Sequence, residues 1–86
     1  MPLNRLKENG KKTVGTKQTM KAIQKGAAEV VFVAQDAEKH VVAPLVEACE
    51  KNNIELVFIE TMKELGSACG IQVGAASAAI VDKDCS

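Results

Sequence analysis

The stretch "EVVFVAQDAEKHVVAPLVEACEKNNIELVFI", residues 29–59, decides the fold of this chain. Residues 29–34 and 55–59 form two continuous runs of mostly β-branched, aromatic and aliphatic side chains, a pattern typical of strands covered on both faces. Between the runs, apolar side chains recur at the helical spacing i, i+3, i+4 and i+7: Val42, Leu45, Val46 and Cys49. The stretch therefore predicts a strand–helix–strand unit, with helices on both faces of the sheet.

Proline and asparagine mark the two ends of this predicted helix. Proline lacks an N–H group and clashes with the preceding turn, so we expect Pro44 to lie in the first turn. The pair Asn52-Asn53 follows the last apolar position and is expected to close the helix. Both signals place the helix wholly between the two strands.

Further elements are expected upstream of this unit. Residues 2–8, "PLNRLKE", suit a first helix, and residues 11–15, "KKTVG", suit a short edge strand. A helix is predicted over residues 17–25, with Thr16 as its N-cap and Gly26 as a left-handed residue at its end. Its apolar and lysine-bearing positions fall on different faces.

Two more elements are expected downstream. Residues 61–70, "TMKELGSACG", predict a helix in which Thr61 and Glu64 form a capping box and Gly70 ends the helix. Residues 74–81, "GAASAAIV", become strand-like at their end and are expected to complete the sheet. Alternating helices and strands predict an α/β fold, a three-layer α-β-α sandwich with a mixed sheet of about four strands.

Length and composition are those of one small globular domain. The chain has 86 residues, of which 47% are hydrophobic and 26% charged, and no linker or low-complexity tract divides it. We therefore expect a single domain over residues 1–86, with an N-terminal helix or arm at residues 1–12 and a tail at 83–86. No window is apolar enough for a membrane span and no signal peptide is visible, so we expect a cytoplasmic protein without a membrane partner.

Charge is strongly segregated although the net charge is zero. Residues 1–25 contain seven Lys or Arg and one Glu, a balance of +6, whereas residues 26–86 contain four Lys and ten Asp or Glu, a balance of −6. The amino-terminal part should attract a polyanion that the rest of the chain repels. This distribution favours an oriented, negatively charged partner.

Catalytic and metal sites have little support in the sequence. Three cysteines, Cys49, Cys69 and Cys85, have no Cys-x-x-Cys spacing, and the single histidine, His40, has no visible carboxylate or cysteine partner. Cys49 and Cys69 occupy apolar helical positions and are expected in the core, while His40 is expected at the surface. The segment "VGTKQT" lacks the second glycine and the Gly-Lys-Ser/Thr ending of a phosphate-binding P-loop. We expect no enzyme activity, no cofactor and no bound metal.

Aromatic side chains are scarce. The chain has no Trp or Tyr, and its two phenylalanines, Phe32 and Phe58, fall in the predicted interior strands. A platform on which single-stranded bases could stack is therefore not expected. If the partner is RNA, it must be recognised by its shape and by a few base edges.

The Gly15-Thr16 corner is the strongest candidate site. The first turn of a helix presents N–H groups without intrahelical acceptors, and here lysines follow at positions 17, 21 and 25. Lys17, Lys21 and Lys25 could contact phosphates, and Gln18 could present its amide to a base edge. From the residues alone, an ordinary surface helix, a protein-binding adaptor surface and a pocket for a phosphorylated metabolite in an enzyme or sensor remain alternatives.

Four segments follow one another over residues 13–82: "GTKQTMKAIQKG", "VVFVAQDA", "NNIELVFIETMKELGSACGI" and "GAASAAI". In their order and spacing they resemble the L7Ae ribosomal protein family, and its small bacterial members in particular. The resemblance implies an α-β-α sandwich that binds RNA kink-turns, which are sharply bent internal loops with tandem sheared G·A pairs. The partner would be structured RNA, in the ribosome or in a regulatory leader, and we expect the protein to be a monomer.

The resemblance also implies which residues meet the RNA. Gly15, Thr16 and Lys21 match the family's contact stretch, while Lys17 and Gln18 replace its Asn and Glu and are typical of the bacterial branch. Leu65, Gly66, Ala68 and Gly70 match the frame before a second contact loop, in which apolar side chains lie against an extruded nucleotide. The contacts implied there are Gly70, Ile71, Gln72 and Val73. We expect Val73 to be exposed, although packing under the preceding helix is the alternative.

Overall fold

A computed structural model describes residues 12–81 of the chain. The strands are β1 (Lys12–Val14), β2 (Ala28–Ala34), β3 (Glu55–Ile59) and β4 (Ser77–Val81). The helices are α1 (Thr16–Gln24), α2 (Lys39–Lys51) and α3 (Met62–Ala68). The helix expected at residues 2–8 and the tail expected at 83–86 lie outside the described residues.

The four strands form one mixed sheet in the order β1-β4-β2-β3. β2 and β3 are parallel and are joined by α2, as the strand–helix–strand pattern predicts. β4 lies between β1 and β2 and is antiparallel to both. The predicted α/β sandwich with a mixed, four-stranded sheet is confirmed.

The two faces of the sheet carry separate cores. On one face α1 and α2 pack against the sheet through Ile23, Leu45 and Cys49, together with the β2 residues Val31 and Val33. On the other face α3 packs through Leu65 and Ala68 against the alternate residues of β2 and β4. Since β2 is covered on both faces from Val30 to Ala34, these five side chains can all be apolar without exposing any of them.

β3 is one of the two edge strands of this sheet, and Phe58 does not lie in the interior. Phe32 of β2 is fully buried, as predicted, but Phe58 is 52% exposed, which makes the prediction wrong for that residue. Phe58 is paired with Val33 and so points to the α1–α2 face. Because β3 lies at an edge of the sheet, the helices on that face cover only about half of the Phe58 side chain.

Pro44 lies inside α2 rather than in its first turn. The helix begins at Lys39, so Pro44 is its sixth residue and removes the N–H that would bond to the His40 carbonyl. Pro44 is exposed, which leaves that carbonyl on the solvent side of the helix. The end of the helix agrees with the prediction, since Asn53 has a left-handed φ of 55° and the Asn52 side-chain amide donates to the Ala48 carbonyl at 2.8 Å.

Candidate nucleic-acid interface

The start of α1 has no side-chain cap. Gly15, not Thr16, is the N-cap residue, and its φ of 96° with ψ of 154° belongs to a region essentially restricted to glycine. The helix therefore begins one residue earlier than the sequence predicts. Its first helical hydrogen bond runs from the Thr19 N–H to the Gly15 carbonyl at 3.0 Å. The N–H groups of Thr16, Lys17 and Gln18 consequently have no acceptor within the helix.

The charge around this helix start is favourable for an anion. The first turn of α1 contains no acidic residue, and the side chains of Lys17, Gln18 and Lys21 are exposed. Positive potential from the helix dipole adds to the charge of Lys17 at this end, and Lys21 follows one turn further along the helix. The opposite face of the helix is buried through Ile23, which confirms the predicted separation of faces.

Lys25 stands apart from this group. It follows the last residue of α1 and lies roughly 13 Å along the helix axis from Thr16 at 1.5 Å per residue. Gly26, which comes next, has a left-handed φ of 73°, as predicted for the end of this helix. The structure thus places Lys17 and Gln18 in the first turn of α1 and Lys21 one turn further along, whereas Lys25 marks the far end of the helix.

Buried hydroxyl groups connect the start of α1 to the sheet. The Gly15 N–H donates to the Ser77 carbonyl at 2.8 Å, and the Ser77 Oγ donates to the Thr16 Oγ1 at 3.5 Å. The Thr13 and Thr19 hydroxyl oxygens lie 3.4 Å apart, and Thr19 and Ser77 are both fully buried. Of these residues, the sequence interpretation missed Thr13, Thr19 and Ser77. Threonines at 13, 16 and 19 share a three-residue spacing, but nothing distinguishes Ser77 within its run of small residues.

The second candidate segment is the loop that follows α3. Its first residue, Gly70, has a left-handed φ of 82°, as expected at a helix end. Ile71 is half-buried and packs against the α3-side core, whereas Gln72 is exposed and Val73 is 71% exposed. The expected exposure of Val73 is confirmed. Ile71, in contrast, is partly packed under the preceding helix, which was the alternative considered for Val73.

The loop returns across α3 in close contact with its backbone. A β-carbon at Gly66 would meet the Val73 carbonyl oxygen, and one at Gly74 would lie 3.0 Å from the Met62 β-carbon. The Ile71 N–H donates to the Gly66 carbonyl at 3.1 Å and the Ala75 N–H donates to the Met62 carbonyl at 3.0 Å. Gly66 is therefore required for the path of the loop that presents Val73.

The start of α3 is fixed at the end of the sheet where β2 ends and the loop over residues 70–76 returns. The Thr61 hydroxyl accepts a hydrogen bond from the Glu64 N–H at 3.1 Å, which confirms Thr61 as the predicted cap. In addition, the Asp36 carboxylate accepts from the Met62 N–H at 2.8 Å. Asp36 follows β2, so this contact ties the β2–α2 loop to α3, a link that local sequence patterns do not contain.

The two candidate segments lie at one end of the sheet. Ser77, which accepts from Gly15, begins β4 directly after the loop, and the Ala34 N–H donates to the Ala76 carbonyl at 2.9 Å. The start of α1 and the loop over residues 70–76 are thus held by the same end of β4. Together they offer backbone donors, lysines and the exposed apolar side chain of Val73 on a continuous stretch of structure.

The buried thiols are packing groups. Cys49 and Cys69 are 1% and 8% exposed, as predicted for core residues. Burial raises the pKa of both thiols, and Lys12 partly offsets the shift in the pKa of Cys69. Both side chains are therefore protonated at neutral pH and are poor nucleophiles. Cys85 lies outside the described residues.

His40 is exposed, as predicted, but it does have a carboxylate partner. Its Nε2 lies 3.1 Å from the Glu38 carboxylate, a neighbour that the sequence interpretation overlooked. Within residues 12–81, no group of three or more His, Cys, Asp or Glu side chains is placed to hold a metal ion. No helix in that range is long and apolar enough to cross a membrane.

Residues 2–86 match the Ribosomal protein L7Ae/L30e/S12e/Gadd45 family. The chain belongs to this family. An L7Ae-family assignment accounts for the order of segments on which the sequence resemblance rests, and for the α/β sandwich that the structure shows. The resemblance is confirmed.

Individual relatives agree with the L7Ae assignment. The chain is 55% identical over 71 residues to an RNA-binding protein of Caldanaerobacter subterraneus subsp. tengcongensis, covering 83% of this chain and 87% of that protein. It is 45% identical over 76 residues to the large ribosomal subunit protein eL8 of Halobacterium salinarum, covering 87% of this chain and 63% of that protein. Among solved structures, the Giardia lamblia 15.5kD RNA binding protein superposes with a TM-score of 0.88 at 32% identity, covering 95% and 72% of the two chains.

These L7Ae-family relatives are named as ribosomal or RNA-binding proteins and not as enzymes. The prediction of a non-enzymatic protein is thereby confirmed.

Proposed function

We propose that this L7Ae-family protein binds RNA kink-turns, using the start of α1 and the loop over residues 70–73 as one surface. The observation that carries the proposal is the uncapped start of α1, where three N–H groups without helical acceptors lie beside exposed Lys17, with exposed Lys21 one turn further along the helix. Family membership and the names of the relatives support RNA as the ligand. A kinked RNA backbone supplies the phosphates that such a helix start favours.

Within this proposal each side chain has a chemical role. Lys17 and Lys21 contact phosphates or the acceptor edges of guanines, and the Gln18 amide pairs with the edge of a sheared G·A pair. Lys25, at the far end of α1, meets the backbone of a flanking RNA helix. Gly15 and Thr16 bring the backbone N–H groups close to a phosphate.

The loop supplies the apolar part of the proposed surface. Val73 lies exposed over α3 and covers an extruded nucleotide, since unpaired bases offer an apolar face. Ile71 supports it from the core, and Gln72 is exposed beside it for contact with the sugar or phosphate. Gly70 allows the turn that places these side chains.

The mechanism is a population shift. Free kink-turn RNA exchanges between open and kinked forms, and a protein that binds only the kinked form draws the equilibrium toward it. The protein would act in the cytoplasm as a monomer without a cofactor, on ribosomal RNA or on a regulatory leader. The separation of charge along the chain orients it, with the basic α1 toward the RNA.

An electrophoretic shift assay tests the proposal. A kink-turn RNA should bind, and the same RNA without its tandem G·A pairs should bind much more weakly. Replacing Lys21 by Ala should weaken binding by roughly 1 to 3 kcal/mol if the side chain reads a base edge, or mainly lower the salt dependence if it meets phosphate. Lys51→Ala is the matched control, because Lys51 is an exposed lysine at the far end of α2, in an i,i+4 pair with Glu47.

Two outcomes would remove the proposed function. Equal affinity for the two RNAs would exclude recognition of the kink-turn, and unchanged affinity in the Lys17→Ala/Lys21→Ala double variant would exclude this helix. An adaptor protein or a phosphate-metabolite sensor would give no shift with either RNA. Because the chain lacks Trp and Tyr, co-purified RNA would also dominate its ultraviolet spectrum.

A further inference from the structure

Ser77 is a buried polar residue whose two oxygens both face the start of α1. It is 0% exposed and stands first in β4. Its carbonyl accepts from the Gly15 N–H at 2.8 Å, and its hydroxyl donates to the Thr16 Oγ1 at 3.5 Å. The first contact fixes the backbone at the helix start. The second reaches the side chain of the next residue, 61 positions away in the sequence.

The direction of the second hydrogen bond has a chemical consequence for Thr16. A hydroxyl group has one proton to donate and two lone pairs that accept. Because Thr16 accepts from Ser77, its own proton remains available for another acceptor. Within residues 12–81, the Thr16 hydroxyl makes one side-chain hydrogen bond, the one with Ser77. Thr16 is only half-buried.

We propose that Ser77 is a positioning residue for RNA binding, which orients the Thr16 hydroxyl as a hydrogen-bond donor to an RNA phosphate oxygen. The inference rests on the proposed function of this surface. A phosphate oxygen is the acceptor of choice because the neighbouring groups are also donors, namely the N–H groups of Thr16, Lys17 and Gln18. These N–H and O–H groups converge, and all of them are donors. They favour an anion over a base edge, because a base edge would present donors as well as acceptors.

A merely structural role for Ser77 can be separated from this one. Ser77→Ala removes the hydroxyl but keeps the carbonyl that accepts from Gly15, so the backbone link between β4 and α1 persists. The change removes one oxygen atom, and the Thr16 hydroxyl left behind is half-buried and can bond to water. We therefore expect a nearly unchanged melting temperature but a less well oriented donor at Thr16.

A double-mutant cycle with a kink-turn RNA tests the inference. Dissociation constants and melting temperatures are measured for the wild type, Ser77→Ala, Thr16→Val and the double variant. Ser77→Ala should weaken binding about fivefold, the equivalent of one net hydrogen bond, and by less than about twofold when Thr16→Val is already present. Thr16→Ser, which keeps the hydroxyl, is the matched control and should retain most of the affinity.

Several results would overturn the inference. Equal weakening by Ser77→Ala in the wild-type and Thr16→Val backgrounds would mean that Ser77 does not act through the Thr16 hydroxyl. Unchanged affinity for Ser77→Ala, or for Thr16→Val, would remove the proposed donor. If Ser77→Ala does not fold, Ser77→Cys takes its place in the cycle, since a thiol is a weak donor of similar shape. A wild-type protein that does not bind the RNA would instead refute the proposed function itself.

Discussion

Replacing Gly66 by Ala should destabilise the protein even though alanine is the better helix former. Gly66 is the fifth residue of α3, and its α-carbon lies beneath the returning loop. The added methyl group would overlap the Val73 carbonyl oxygen, which belongs to the backbone and cannot rotate away as a side chain could. The loop must therefore shift as a unit.

The size of the effect follows from three contributions. Alanine in place of glycine within a helix stabilises by about 1 kcal/mol. Overpacking costs roughly 1 to 3 kcal/mol. The shift also weakens two backbone hydrogen bonds, from Ile71 to Gly66 and from Ala75 to Met62, each worth about 1 kcal/mol. We expect a net loss of about 2 kcal/mol in the free energy of unfolding.

Far-ultraviolet circular dichroism is the suitable assay, because the chain has no Trp or Tyr for fluorescence. In a domain of this size, about 2 kcal/mol lowers the melting temperature by roughly 8 to 16 °C. Ser67→Ala is the matched control, since it adds helix propensity at an exposed neighbouring position and should leave the melting temperature nearly unchanged or slightly raised. A Gly66→Ala protein as stable as the wild type would refute the claim that the loop is closely packed on α3.

Three further results are expected. Val73→Ser should change stability by less than about 0.5 kcal/mol, because the side chain is 71% exposed. The same change should weaken RNA binding. A lower melting temperature with unchanged affinity would instead assign Val73 to packing. Cys69→Ala should cost on the order of 1 kcal/mol of stability without affecting RNA affinity, and a folded variant that binds poorly would contradict a core role. Burial raises the pKa of the Cys49 and Cys69 thiols in the native state. Above about pH 8.5 the unfolded chain therefore loses thiol protons that the native chain keeps, and the free energy of unfolding should fall as pH rises. Urea titrations from pH 7 to 10 measure this fall, which should be smaller in the Cys49→Ala/Cys69→Ala variant; an equal fall would exclude the thiols as its source.

The elements of the fold could be predicted because local patterns determine them. β2 was recognised from an apolar run that only a strand covered on both faces can carry, and the helix between β2 and β3 from its spacing. The order of the strands could not be read in this way. It depends on pairings such as Lys12 with Ile80, which are remote in sequence and leave no periodic signal. Phe58 was placed wrongly for the same reason, since its exposure follows from the edge position of β3.

The candidate site was predicted in part. Exposed Lys17, Gln18 and Lys21 follow from the helical spacing, but the identity of the cap residue required the backbone conformation of Gly15. Ile71 and Val73 are similar apolar side chains with different burial, and only the path of the loop over Gly66 separates them. Thr19 and Ser77 were missed because one buried hydroxyl in a helix or strand forms no sequence pattern.

The position of β4 makes the proposed RNA surface depend on a strand that follows the other described elements in the chain. Within residues 12–81, β4 is the last strand to be synthesised, yet it is inserted between β1 and β2, which are made before it. A nascent chain that ends at Cys69 contains α1 and its lysines but lacks the Ser77 carbonyl that anchors Gly15. Until β4 leaves the ribosome, β1 has no neighbouring strand within residues 12–81 and the Gly15 N–H lacks its acceptor, although Ile23 of α1 can already pack against α2 and β2. RNA recognition by the proposed surface therefore has to follow synthesis of β4, because the pairing of β1 with β4, which are far apart in the sequence, must form before that surface is complete.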